Sequence, residues 1–182
     1  LRKDGSDIWL QASYNPIFDL NGKPYKVVKF ATDITEAKKR NAEFEGKMKS
    51  VDRVQAIIEF DTRGRVLHAN DNFLATFGYK LEEVVGEHHR LFCDPVYGRS
   101  ADYVAFWDRL GRGEFETGEF RRLDKNGRDV WIQASYNPIL DDEGRPYKVV
   151  KFATDVTANR LRNAEFEGTT SAISRSQAVI EF

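Results

Sequence analysis

Tyr103, Phe106, Trp107 and Leu110 recur at spacings of three and four, which predicts a helix over 102–111 with one apolar stripe. Elsewhere the period drops to two. Apolar side chains alternate with polar ones over 115–123, 129–137 and 147–155, and Asp124-Lys125-Asn126-Gly127 and Asp141-Asp142-Glu143-Gly144 supply the turns of a three-stranded meander. Upstream, 54–60 and 65–69 read as a hairpin closed by Asp61-Thr62-Arg63-Gly64, with Gly64 at the tight position. Asn70-Asp71 can cap a short helix over 72–77 that stops near Gly78, and 81–85 forms another that ends at Gly86. Two strands, several short helices and three strands predict an α+β architecture: a five-stranded antiparallel sheet with helices over one face. Large apolar groups occupy both faces of the last strands. Ile132 and Tyr136 alternate with Trp131, so the face away from the helices is expected to meet a flanking helix or a second subunit.

This pattern recurs in the chain. Residues 1–60 match 123–182 without a gap at an offset of 122, with 38 of 60 positions identical. Trp9 to Pro16 returns as Trp131 to Pro138, and Gln55-Ala56-Ile57-Ile58-Glu59-Phe60 returns as Gln177-Ala178-Val179-Ile180-Glu181-Phe182. A unit of this length has domain size and is far longer than a solenoid repeat. The organisation expected is therefore 1–35, the closing strands of one repeat; 36–53, a linker helix; 54–157, a complete repeat; 158–175, a second linker helix; and 176–182, the first strand of a third repeat. Ile34, Ala37, Phe44, Met48 and Val51 give the first linker an amphipathic seam, which Gly46 should weaken or interrupt. The open strand over 25–33 is expected either to exchange partners with 177–182 of a neighbouring molecule or to pair with flanking segments outside this sequence.

Of the 182 residues, 28 are basic and 29 acidic, a net charge of −1, so nothing draws the chain electrostatically to nucleic acid. One cysteine, Cys93, excludes an internal disulfide and suits a reducing, cytoplasmic setting. No apolar run approaches the roughly 20 residues of a membrane-spanning helix, so no direct membrane insertion is expected. Phosphate-binding glycine loops, zinc-ligand clusters and nucleophile elbows are lacking, so the chain does not read as an enzyme.

Leu67-His68-Ala69-Asn70-Asp71-Asn72-Phe73, Phe77-Gly78-Tyr79, Glu82 to Gly86, Arg121 to Gly127, Trp131 to Pro138 and Asp155-Val156-Thr157 together resemble the PAS/PAC sensory family across the whole repeat. Gly86-Glu87-His88-His89-Arg90-Leu91-Phe92 and Phe106-Trp107 are similar to the PAS domains of bacterial methyl-accepting chemotaxis receptors, including aerotaxis-type ones. The resemblance implies cofactor candidates. His88 and His89 lie where haem-binding relatives place an axial ligand, and Asn70 and Trp107 stand where flavin-binding relatives hold FAD. Cys93-Asp94-Pro95 replaces the basic residues that follow in those relatives, so haem b comes before FAD, and an empty pocket remains open. The two histidines are metal ligands only if haem is bound. Without a ligand they are a surface or capping pair, Trp107 is core, and Cys93 is an inert, partly buried thiol. Gln133, in the central strand of the meander, addresses either a ligand or a backbone group.

Asp33-Ile34-Thr35 and Asp155-Val156-Thr157 lie where the last strand of each repeat turns into a helix. The aspartate can cap the helix, and the resemblance makes Asp33, Thr35, Asp155 and Thr157 the route of signal transmission. The function expected is a sensory and relay module of a chemoreceptor-like protein, homo-oligomeric through its sheets and linker helices. The alternatives are a ligand-free dimerisation scaffold, or the input array of a histidine kinase or cyclic-di-nucleotide enzyme.

Overall fold

Four hairpin turns share one construction, written in the sequence as Asp-x-x-Gly. In the computed structural model, which describes residues 3–176, each aspartate (Asp19, Asp61, Asp124 and Asp141) accepts through Oδ1 from the amides two and four residues on, at 2.8–2.9 Å. Its carbonyl accepts from the glycine amide at 2.9–3.0 Å. The glycine takes a positive φ, which costs it nothing because it has no Cβ.

The chain divides into two compact units, Leu1–Val51 and Asp52–Phe182. In the first, strands β1 (Leu10–Phe18) and β2 (Pro24–Asp33) form an antiparallel hairpin, with Leu10 opposite Asp33 and Ile17 opposite Lys26. Trp9, Tyr14 and Phe30 are exposed on it. Helix α1 (Thr35–Asp52), the expected linker helix, follows and runs without a break through Gly46. One glycine costs about 1 kcal/mol, too little to break a helix of 18 residues.

The second unit has the five-stranded antiparallel sheet, in the order β4-β3-β7-β6-β5. Its strands are β3 (Ala56–Asp61), β4 (Val66–Ala69), β5 (Glu116–Leu123), β6 (Asp129–Leu140) and β7 (Pro146–Asp155). Between β4 and β5 lie α2 (Asp71–Phe77), α3 (Leu81–Val84) and α4 (Ala101–Gly111), with 3-10 turns at His89–Phe92 and Tyr97–Arg99. Strand β6 continues three residues beyond the alternation, through Pro138 to Leu140, still paired with β7. Helix α5 (Thr157–Ser176) closes the described chain.

Period-two phasing puts Val130, Ile132, Ala134 and Tyr136 of β6, and Val149, Lys151 and Ala153 of β7, on the face beneath the helices. There they meet Phe73 and Phe77 of α2, Phe92, and Tyr103, Phe106, Trp107 and Leu110 of α4. Each fully buried aromatic contributes about 1.5–3 kcal/mol. Their rings interlock edge-to-face, as Phe106 does on Tyr136 at 4.9 Å and Phe73 on Phe92 at 5.1 Å. Asn70 caps α2, its Oδ1 accepting from the Phe73 and Ile57 amides, while its amide group reaches the carbonyls of Asp52 and Gln55.

Candidate functional site

The apolar stripe of α4 and the 3-10 turn at His89–Phe92 together carry a polar chain into the core. His89 is fully buried. Its Nε2 lies 3.0 Å from the Tyr136 hydroxyl and its Nδ1 3.0 Å from the Tyr103 hydroxyl. Tyr136 also accepts from Arg122 Nη2 at 3.2 Å, and Tyr103 lies 3.2 Å from His88 Nδ1. The His88 end fixes the direction: its Nδ1 accepts from the Arg90 amide at 3.2 Å, so it carries no hydrogen and accepts from Tyr103 as well. Tyr136 therefore gives its own proton to His89 Nε2. His89 carries its hydrogen on Nδ1 and donates to Tyr103, and Tyr103 donates to His88. Five side chains from β5, β6, α4 and the turn before it thus form one oriented hydrogen-bond chain through the core.

Burial makes the chain unreceptive to a further charge. Desolvation, then Arg122 and Lys151, hold the His89 imidazole well below its ordinary pKa and keep it neutral. Burial pushes the Tyr136 hydroxyl up to about 12 and raises Tyr103 as well. Half-buried His88 is also lowered, by desolvation and then Arg90. The Cys93 thiol, 3.6 Å from His89 Nδ1, is raised by burial and is no ready nucleophile.

Two buried basic side chains bear on this chain, Arg122 at its end and Lys151 beside it. Arg122 is 3% exposed. Lys151 is completely buried, its Nζ without a hydrogen-bond partner and 5.0–5.8 Å from the ring centroids of Tyr136, Phe73 and Phe77. Burial, then Arg122, drives the Lys151 amine well below its usual pKa. The sequence reading missed Arg122 and Lys151, although the alternation carried the signal: Lys151 is in phase with Val149 and Ala153, and Arg122 with Phe120.

The structure brings His88, His89 and Trp107 together and places Asn70 and Gln133 elsewhere. Trp107 packs edge-on against His89 at 5.5 Å and Phe60 at 5.5 Å. The oxygen and amide of Asn70 are taken up by the backbone contacts described above. Gln133 is exposed on the opposite face of the sheet, beside Gln55, Thr117 and Thr154. Haem does not fit these residues. Both nitrogens of His89 already hold tyrosine hydroxyls, and the aromatic rings occupy the space that a macrocycle would need. FAD meets the same packed rings, with Asn70 committed elsewhere.

Asp33, Thr35, Asp155 and Thr157 form a second cluster, with the same hydrogen bonds in both repeats. Asp155 Oδ1 accepts from the Thr157 amide at 2.8 Å, and Thr157 Oγ1 accepts from the Trp131 amide at 2.9 Å. The Trp131 carbonyl accepts from the Val156 amide at 2.8 Å. In the first repeat Asp33 holds Thr35 at 2.9 Å, Thr35 holds Trp9 at 2.9 Å, and Trp9 accepts from Ile34 at 2.9 Å. A cation covers each indole, Arg160 at 3.8 Å from the Trp131 centroid and Lys38 at 5.7 Å from that of Trp9. The start of each helix is thereby clasped to the second-last strand of its repeat.

The PAS fold family matches residues 66–153, and the PAS domain family matches 1–36. Biofilm dispersion protein BdlA of Pseudomonas aeruginosa is 47% identical over 167 residues, 92% of this chain and 40% of that protein. The aerotaxis receptor of Escherichia coli is 29% identical over 105 residues, 58% of this chain and 20% of that receptor. The chain thus spans less than half the length of either relative. Among solved structures, the PAS domain of a Colwellia psychrerythraea protein superposes with a TM-score of 0.55 at 23% identity, covering 63% of this chain and 98% of that one, a likeness of fold. With its sheet order, its helices over one face and matches in both repeats, the chain belongs to the PAS family.

Proposed function

We propose that this chain is the sensory and relay segment of a chemoreceptor-like signalling protein, cytoplasmic and homo-oligomeric through its sheets and helices. The observation that carries the reading is the repeated Asp-x-Thr clasp on Trp9 and Trp131, which ties the strands of each sensor sheet to the helix leaving it. A shift of the β6–β7 hairpin is passed to α5 through the Thr157 hydroxyl and the Trp131 carbonyl, with no catalytic step. The likeness to the aerotaxis receptor supports the receptor context. The filled core favours a second reading, a PAS scaffold that holds no prosthetic group and relays only mechanical strain.

The experiment is Asp155→Ala, measured twice. In this chain, amide exchange in the first turn of α5 should rise while the sheet stays protected, because removing a cap costs about 1 kcal/mol locally. In a receptor carrying the chain ahead of its output domain, the response to stimulus should be lost at unchanged protein level. A normal response in that receptor sinks the relay reading.

A further inference from the structure

Among the described residues no carboxylate lies within ion-pair reach of Arg122, although its guanidinium is almost wholly buried. It donates from Nη1 to the Arg121 carbonyl at 2.8 Å and from Nη2 to Tyr136, and its Nε has no partner. The rings of Phe120 and Tyr97 flank it, with centroids at 4.9 and 5.7 Å. A buried cation without an anion is costly, and a guanidinium with an unused Nε–H and spare terminal hydrogens suits a carboxylate bound two-pronged.

Arg122 also lines a cleft of about 580 Å³ between the edge strand β5 and the segment leading into α4, walled by Val96, Tyr97, Ser100 and Phe120. That volume is typical of small-molecule sites. The remaining charges narrow the ligand. Arg121 is held by Asp129 at 2.9 Å, Glu119 pairs with Arg160 at 2.7 Å, and Asp94 is used by the Val96 amide at 2.8 Å. Asp102 stands at the rim. The cleft therefore offers one unmatched positive charge among acids, which disfavours dianions, and flat apolar walls.

We propose that this cleft binds a small aromatic or otherwise apolar monocarboxylate, its carboxylate on Arg122 and its body between Tyr97 and Phe120. The inference rests on the sensory reading and supplies its ligand class. Occupancy would draw Arg122 away from Tyr136 and so reach His89 through the hydrogen-bond chain.

The test is an NMR titration of the 182-residue chain with benzoate, with benzamide as its neutral counterpart and inorganic phosphate as a different anion. Benzoate should bind saturably and shift the Arg122 Nε–H resonance, while benzamide and phosphate leave it in place. Arg122→Gln should weaken benzoate by at least about tenfold and Arg121→Gln should not. If Arg122→Gln fails to fold, the Nε–H resonance of the unaltered chain decides. Equal binding of benzamide, loss of binding in Arg121→Gln alone, or no saturable shift with benzoate overturns the proposal. None of these outcomes touches the Asp155 relay, which is scored by the receptor response.

Discussion

Lys151→Met removes the one fully buried amine of the core and leaves a side chain of similar length among Phe73, Phe77 and Tyr136. In the unfolded chain the lysine is charged up to pH about 10.4. In the fold, burial holds its pKa well below that. Between the two values the unfolded state carries one proton more than the folded state. The lysine therefore penalises folding, and the penalty grows as pH falls from the unfolded value toward the folded one. While the folded amine stays neutral, the slope is about 1.4 kcal/mol per pH unit. The methionine variant lacks this penalty and keeps every other titrating group. It should be the more stable protein at pH 7, and its advantage should shrink as the pH is raised from 7 to 9. Urea denaturation of both proteins at pH 7, 8 and 9 measures the difference directly. A difference that does not change with pH refutes the reasoning, because it would mean that the ammonium stays charged in the fold.

Two further substitutions probe the frame around the polar chain. Gly64 has φ +82°, and a Cβ there would lie 2.8 Å from Trp107 Cε2. Gly64→Ala should therefore cost about 2–4 kcal/mol from backbone strain and displacement of the indole, read as a lower Tm with a changed tryptophan emission. Asn70→Ala removes the α2 cap and leaves the Ile57 amide without its acceptor, so denaturant unfolding should show a loss of about 2–4 kcal/mol. A loss below about 1 kcal/mol would reduce Asn70 to an ordinary helix cap.

The strands, turns and α4 were legible because period two, period three-to-four and Asp-x-x-Gly turns are local signals. The 3-10 turns at His89–Phe92 and Tyr97–Arg99 were not, since three or four residues hold no measurable period. The histidine pair reads in the sequence either as ligands to an outside group or as a surface or capping pair; His88 caps the turn at His89–Phe92, whereas His89 is buried on Tyr103 and Tyr136, the latter 47 residues away, and only the packing of α4 on β6 brings them together. Lys151 shows the limit of the alternation. A strand buried on one face states which residues share a side, but a polar residue in phase with the core reads as an irregularity until the opposing helices are in place. The clasp at Asp155 and Thr157 was visible as a cap, whereas its grip on Trp131 needed the β6–β7 register.

That grip turns α5 into a lever. The helix has 20 residues, so at 1.5 Å per residue its far end lies about 30 Å from the Thr157 hinge. Each degree of tilt imposed at Trp131 then sweeps that end by about 0.5 Å. A rearrangement in the core of a few degrees, too small to break a single strand hydrogen bond, becomes a displacement of more than an ångström at the helix tip.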